Sequence, residues 1–431
     1  MALLRPMLNI TVEKKMCHKF TFTNVPKTGV LYVMSKASEH GFYYGNKEWS
    51  NLGQGAPETN RLPHSLDRIS SILLPEETLE YSPVAGTYEL RQAVADLYNY
   101  RFRKTKSSQY TAENVAISSG GRIALVRIAA TLNNINLGHF LPDYTAYEEL
   151  LGLFNKFVAI PIAYGQETGF KPCPKQIEKA ICNLGLGGIL LSNPCNPTGR
   201  LLNQGELNEL VNSSRKLDCA VIVDEFYSHY LYGKSDTVQQ LSAAASVNDV
   251  NKDEVVIIDG LTKNWRYPGL RISWTLAPKS VIENIVSAGS FLDGGAAHGI
   301  QKIATSLLGP QEANQEAHAI QISFMEKRNY MVSKLREIGF NLPISPDGGF
   351  YCFPSLEKLP EPLRDGMVIF KALLKEKVIC VPGEFFDVNP GRRRKHVHSR
   401  LKNYVRFSYG PPIEELKIGM NRLASLVGPY R

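Results

Sequence analysis

Four short apolar runs constrain the fold of this chain more than any other feature. They are the VAI of NVAISSGG (from Asn114), Ile189 to Leu191, the AVIV that leads into Asp224, and Val255 to Ile258. Each stops at polar, glycine or proline residues, as strands buried on both faces do. A helical pattern (Ile123, Val126, Ile128, Ala130) follows the first run, and a helix-like segment precedes the third. That alternation predicts a large three-layer α/β/α domain with a mainly parallel sheet. In such sheets ligands sit at the carboxyl ends of the strands, so the residues that end each run are the ones to read for chemistry.

Length and composition fit this expectation. The 431 residues, 43% hydrophobic and 21% charged, can bury a large core divided into more than one lobe. No apolar run approaches the ~18 residues of a membrane span. Arg5 and Pro6 follow Leu3 and Leu4 and break any signal-peptide core, so the expected location is the cytoplasm. Seven scattered cysteines (17, 173, 182, 195, 219, 352 and 380) form no CxxC pair and suggest neither a disulfide framework nor a zinc site. The net charge of +8 is largely local: Gly391 to Asn403 holds four arginines, two lysines and no acid. Without a recognition helix or interleaved aromatics, that stretch reads as a solvated loop, with neither nucleic acid nor membrane as partner.

The segment DGLTKNWRYPGLRISW, Asp259 to Trp274, links the last run to a second strand-like run, Leu270 to Leu276. Gly260, Pro268 and Gly269 put Lys263 on a connection between strands. Lys263 is a potential amine nucleophile, and Arg271 is a forked cation suited to phosphate. Elsewhere SSGG between a strand and a helix makes an anion site, because first-turn amides are free and glycine permits close approach. In GGILLSNPCNPTGRLL two Asn-Pro steps force a rigid turn at a strand end. Asp224 ends a buried strand, where a carboxylate is costly unless it meets a cation. Arg406, between Val405 and Phe407 in a strand pattern, equally needs an anion, and no acid is adjacent.

Threonine, lysine and a later Gly-x-Arg, together with SGG and NPCNPTG, resemble class I/II pyridoxal-phosphate-dependent aminotransferases of the aspartate aminotransferase fold (fold type I). The resemblance runs from about Asn51 to the C-terminus. It implies that Lys263 forms the imine with pyridoxal 5'-phosphate and moves the substrate Cα proton. Ser119, Gly120, Gly121, Arg122 and Arg271 would hold the phosphate, and Tyr144 would stack on the pyridine ring. Asp224 would pair with the pyridinium nitrogen, while Asn196 and Tyr227 would bond the phenolic oxygen. Arg406, with Gly55 and Asn196, would bind the α-carboxylate of an amino acid. Tyr81 would reach across a homodimer interface, making the sites shared, and Asp293 and His298 would be candidates for choosing the side chain. One departure stands out: many relatives carry serine three residues before the lysine, where this chain has Gly260, so a hydroxyl contact to the phosphate would be missing or supplied by Thr262.

The implied function is transamination between an α-amino acid and a 2-oxo acid in amino-acid biosynthesis. The same cofactor site supports elimination, replacement and ring closure, so a cyclase or lyase stays open, as does a non-catalytic regulator. The expected organisation is an irregular N-terminal segment, 1–44, a small α+β domain from 45–61 and 335–431, and a large domain, 62–334.

Overall fold

The computed structural model describes residues 25–27, 29–233, 238–395 and 398–430. The described strands, in chain order, are β1 (Ser50–Asn51), β2 (Val115–Ser118), β3 (Asn136–Leu141), β4 (Val158–Ala163), β5 (Leu186–Ser192) and β6 (Ala220–Asp224). They continue with β7 (Val255–Gly260), β8 (Ser273–Leu276), β9 (Tyr351–Cys352), β10 (Val378–Ile379), β11 (Val381–Pro382) and β12 (Val405–Ser408). Seven of them form one sheet in the order β2-β8-β7-β6-β5-β3-β4. β8 pairs antiparallel with both β7 and β2, and every other pair in this sheet is parallel.

The alternation of side chains along each strand builds two cores. Ala116, Leu190, Ile222, Val256 and Ile258 join one apolar cluster, with Ile282, Ile285, Ile320 and Phe324 of the helices on that face. Their chain neighbours Val115, Ile117, Ile189, Leu191, Val221, Val223, Val255 and Ile257 join the other, with Leu90, Val94, Ile177 and Leu207. The apolar runs are therefore buried from both sides, as their lack of polar alternation predicts, and the sheet is the middle of three layers. β4 lies at the edge and is correspondingly half-exposed.

The 29-residue helix Pro310–Ile338 starts on a proline and ends at Gly339, whose φ of +103° suits the left-handed C-terminal turn. It leads to two small sheets, β1–β10 and β11–β12–β9, flanked by the helices Gly366–Lys375 and Ile413–Val427. β1 comes from near the start of the chain and pairs in parallel with β10, so this lobe draws on both ends of the sequence.

One sequence expectation needs correction. Within 1–44, expected to be irregular, Gly29–Glu39 is a helix that buries Val33 and Ala37 one turn apart; residues 1–24 lie outside the described part. The helix expected after the first apolar run is Gly121–Thr131, which buries Ile128 of that pattern together with Ala124, Leu125 and Ala129. It also buries Arg127, a charged residue that reads as surface, in an ion pair with Asp293. The described residues of the basic stretch 391–403 are mostly exposed, as a solvated loop is, with a tether at Arg394, Ser399 and Arg400. Asp387, just outside it, accepts both Arg394 Nη1 and Nη2 at 2.9 Å and bonds the Ser399 hydroxyl and the Arg400 amide.

Candidate active site

The carboxyl ends of β2, β3, β5, β6 and β7 open on a cavity of about 350 Å³. Its lining includes Gly121, Arg122, Tyr144, Asn196, Asp224, Tyr227, Thr262, Lys263 and Arg271. Nine residues from five chain segments, singled out by local pattern or by the family resemblance, thus meet in one place.

Lys263 is positioned by the loop after β7. Asp259 Oδ1 accepts from the Gly260 amide at 2.6 Å and from Asn264 Nδ2 at 2.7 Å, and the Tyr230 hydroxyl donates to the Lys263 carbonyl at 2.8 Å. The amine itself donates to the Gly55 carbonyl. Burial, then the nearby Arg122, Arg271 and Arg406 guanidiniums, push its pKa down to about 7, so near neutral pH much of it is the free base. Gly260 has a packing reason: a Cβ there would lie 2.6 Å from the Ile272 carbonyl oxygen on the way into β8. Serine does not fit at that approach. Thr262 lines the cavity instead, and its buried hydroxyl has no hydrogen-bond partner among the described residues.

The anion cup lies between β2 and the helix Gly121–Thr131. Gly120 caps this helix at φ +93°, and the first-turn amides behind it have no intrahelical carbonyl to meet. A Cβ on Gly120 would lie 2.1 Å from Arg271 Nη2, and one on Gly121 would lie 2.4 Å from the Phe226 ring. The glycines are required because the guanidinium and the ring occupy that space. Ser119 belongs to the turn itself and does not line the cavity. The Arg122 side chain donates to the Tyr144 hydroxyl, at 3.1 Å from Nη2, so its own contribution to the cup is its amide.

Asp224, at the end of β6, accepts from the Tyr147 hydroxyl at 3.0 Å and the Phe226 amide at 3.3 Å. Burial raises it to about 6 despite those donors, which leaves a carboxylate that gains from any cation brought to it. Arg406 on β12 is buried. Its Nη1 donates to Asn196 Oδ1 at 2.8 Å and its Nη2 to the Gly53 carbonyl at 2.7 Å, while Nε has no partner. Its guanidinium lies 4.2 Å from the centre of the Tyr351 ring, and no acid pairs with it among the described residues.

Sequence reasoning missed Tyr147 and Tyr351. Tyr147 stands three positions after Tyr144, a spacing that stacks both on one side of a helix start, and the rings meet edge-on at 5.5 Å. Tyr351 follows Gly348-Gly349-Phe350 in a β run, and its hydroxyl lies 3.0 Å from that of Tyr227. Tyr81 is not brought to this cavity. It is 96% exposed and borders a second concavity with Leu79 and the segment Asp293 to Ile300. Asp293, a candidate for specificity, has both carboxylate oxygens occupied by Arg127 at 2.8 Å. His298 opens the helix His298–Ser306 beside that second concavity.

The sequence profile of the family described as aminotransferase class I and II matches residues 47–423. An aspartate aminotransferase of Bacillus subtilis is 26% identical over 383 residues, covering 87% of this chain and 90% of that protein. A probable N-acetyl-LL-diaminopimelate aminotransferase of the same organism is 26% identical, over 85% and 86%. Among solved structures, the aspartate aminotransferase of Thermus thermophilus with maleate aligns over 93% of this chain and 97% of its own. Its TM-score is 0.75 at 22% identity, which is a likeness of fold. None of these favours the cyclase, lyase or regulator alternatives. The chain belongs to the class I and II aminotransferases, pyridoxal-phosphate-dependent transaminases with the aspartate aminotransferase fold.

Proposed function

We propose that Lys263 is the lysine that carries pyridoxal phosphate, and that Arg406 selects α-amino acids and 2-oxo acids as the exchanging pair. The observation that carries this reading is a buried amine in a cavity whose Asn196 holds a buried guanidinium that no acid pairs with among the described residues.

The residues fit the cofactor. Its phosphate would take the amides of Gly121 and Arg122, the unpartnered Thr262 hydroxyl, and Arg271, with Ser119 and Gly120, whose own amide donates to the Ser118 carbonyl at 2.8 Å, shaping the turn. Its ring nitrogen would meet Asp224, its face Tyr144, and its phenolic oxygen Asn196 and Tyr227. When bound, pyridoxal phosphate supplies the electron sink that lets a Cα–H bond of an amino acid break.

The protein's own part follows from its side chains. Arg406, buried and without an acidic partner among the described residues, binds the substrate α-carboxylate, with Gly55 and Asn196 forming the rest of that subsite. Asp224, ionised by its cationic partner, keeps the ring nitrogen protonated. The Nζ of Lys263, a free base near neutral pH, takes the Cα proton and returns it.

This reading includes a homodimer with shared sites. It is supported by the exposed side chains of Leu79, 72% exposed, and Tyr81, 96% exposed, which border one concavity. Exposed apolar side chains around a concavity are what a protein–protein contact would cover. It also includes a large cofactor-binding domain over 62–334 and a small domain from 45–61 and 335–431. A cytoplasmic location is supported by six free thiols among the described residues, and a role in amino-acid biosynthesis by the exchange of amino and 2-oxo acids.

The experiment is borohydride reduction of the cofactor-loaded protein followed by peptide mapping. Label on Lys263 and loss of the visible band are expected. Label on another lysine would overturn the assignment.

A further inference from the structure

Tyr227 and Tyr351 share one hydrogen bond of 3.0 Å in which either oxygen can donate. Both are buried, and burial raises both phenols, Tyr351 to about 12, so both hold their proton near neutral pH. A phenol has a single proton to give. Tyr227 lines the cavity and Tyr351 does not. If Tyr227 spends its proton on Tyr351, it can only accept from whatever occupies the cavity. If Tyr351 is the donor, the Tyr227 proton remains free to point inward.

Tyr351 also touches the substrate subsite. Its ring lies beneath Arg406 at 4.2 Å, while Arg406 Nη1 is 2.8 Å from Asn196 Oδ1. Its hydroxyl stands close to Gly55, where an added Cβ would be 3.2 Å away. A single side chain therefore contacts the arginine of the carboxylate subsite and the second of the two groups assigned to the phenolic oxygen.

We propose that Tyr351 is a positioning residue: its hydroxyl donates to Tyr227, directs the Tyr227 proton at the cofactor's phenolic oxygen, and its ring supports Arg406. The proposal rests on the contact between Tyr227 and that oxygen given above. With an ionised oxygen as the final acceptor, the chain Tyr351 to Tyr227 to oxygen has every donor pointing the same way, and each bond strengthens the next.

The test is a spectrophotometric pH titration of the cofactor-loaded protein without substrate, following its visible band from about pH 5 to pH 10. The high-pH form has the ionised phenolic oxygen, so weakening a donor to it moves the midpoint upward. Tyr227→Phe should raise the midpoint, and Tyr351→Phe should raise it by part of that amount. The double variant should equal Tyr227→Phe, because the Tyr351 hydroxyl acts through Tyr227. Tyr351→Phe keeps the ring, so its KM for the amino acid should stay within about twofold, whereas Tyr351→Leu should raise it roughly three- to tenfold.

A midpoint unmoved by Tyr351→Phe, while Tyr227→Phe moves it, overturns the proposal. Additive shifts in the double variant do so as well. If Tyr227→Phe leaves the midpoint unchanged, the assignment of Tyr227 to the phenolic oxygen fails first. Should the leucine variant not fold, the phenylalanine titrations decide alone.

Discussion

Arg406 and Asn196 are joined by a 2.8 Å hydrogen bond from Nη1 to Oδ1, which ties β12 of the small lobe to the loop after β5 of the large sheet. The guanidinium is thus held from both sides, by Asn196 and by the Gly53 carbonyl, with Nε left over. Those two bonds fix the side chain, which on the proposed function meets the substrate carboxylate.

Removing that guanidinium should therefore act on substrate affinity. A charge-assisted bond is worth about 1.5–3 kcal/mol, so Arg406→Ala should weaken the apparent affinity for amino acid roughly ten- to a hundredfold. Arg406→Lys keeps the charge but cannot reach Asn196, Gly53 and a carboxylate together, and should be impaired nearly as much. Steady-state kinetics with an amino acid, beside an amine that lacks the carboxylate, check this. An amine reaction equally weakened would place the fault elsewhere.

Asp224 is expected to matter for turnover and not for loading. Burial holds its carboxyl up at about 6, and only a cationic partner makes its ionised form comfortable. Asp224→Ala should still be labelled at Lys263 by borohydride but lose most of its kcat. Asp224→Glu should retain more than the alanine variant. Near wild-type kcat in Asp224→Ala at saturating cofactor would make the residue structural.

Asp293 should prove to be a stability residue. Both its oxygens meet Arg127 at 2.8 Å, and Arg127 is fully buried. Asp293→Ala strands a buried charge, which costs ~3–5 kcal/mol. Chemical denaturation should register that loss, whereas the order of preference among amino acids should stay the same. A change of preference at unchanged stability would restore Asp293 as a specificity residue.

How much was legible in the sequence divides along a physical line. Strand ends announce themselves, because an apolar run that stops at Asp224 or at Gly260 is a local pattern. Lys263, Asn196, Asp224 and Arg271 were found on that basis and meet in one cavity. What escaped depends on long-range contact. Arg127 reads as surface until Asp293, far along the chain, is brought to it. Tyr351 reads as one more strand aromatic until Tyr227 and Arg406 close on it. The serine-to-glycine departure at Gly260 was visible, but its cause, the approach of the Ile272 carbonyl, was not.

The last prediction concerns pH. Burial and three guanidiniums lower the Lys263 amine to about 7, against an ordinary value of 10.5. Capture of pyridoxal phosphate by the cofactor-free protein needs the unprotonated amine, so its rate should rise through pH 6 to 8 and then level off. An unperturbed lysine would give a rate still climbing about tenfold per unit at pH 9. Pyridoxal, which has no phosphate to titrate, serves as the control and should show the same half-point. Stability carries the same signature with a definite sign. Between about 7 and 10.5 the unfolded chain holds a proton at this lysine that the folded one has lost, so stability from this group rises with pH across that window. Below about 7 both states are protonated, and the burial penalty on the folded state is constant and at its largest. Lys263→Met, which removes the charge at similar length, should therefore exceed the cofactor-free wild type in stability at pH 6 and approach it near pH 10. A capture rate that keeps climbing through pH 9, or a stability gap that does not close, would mean that Lys263 is an ordinary exposed amine.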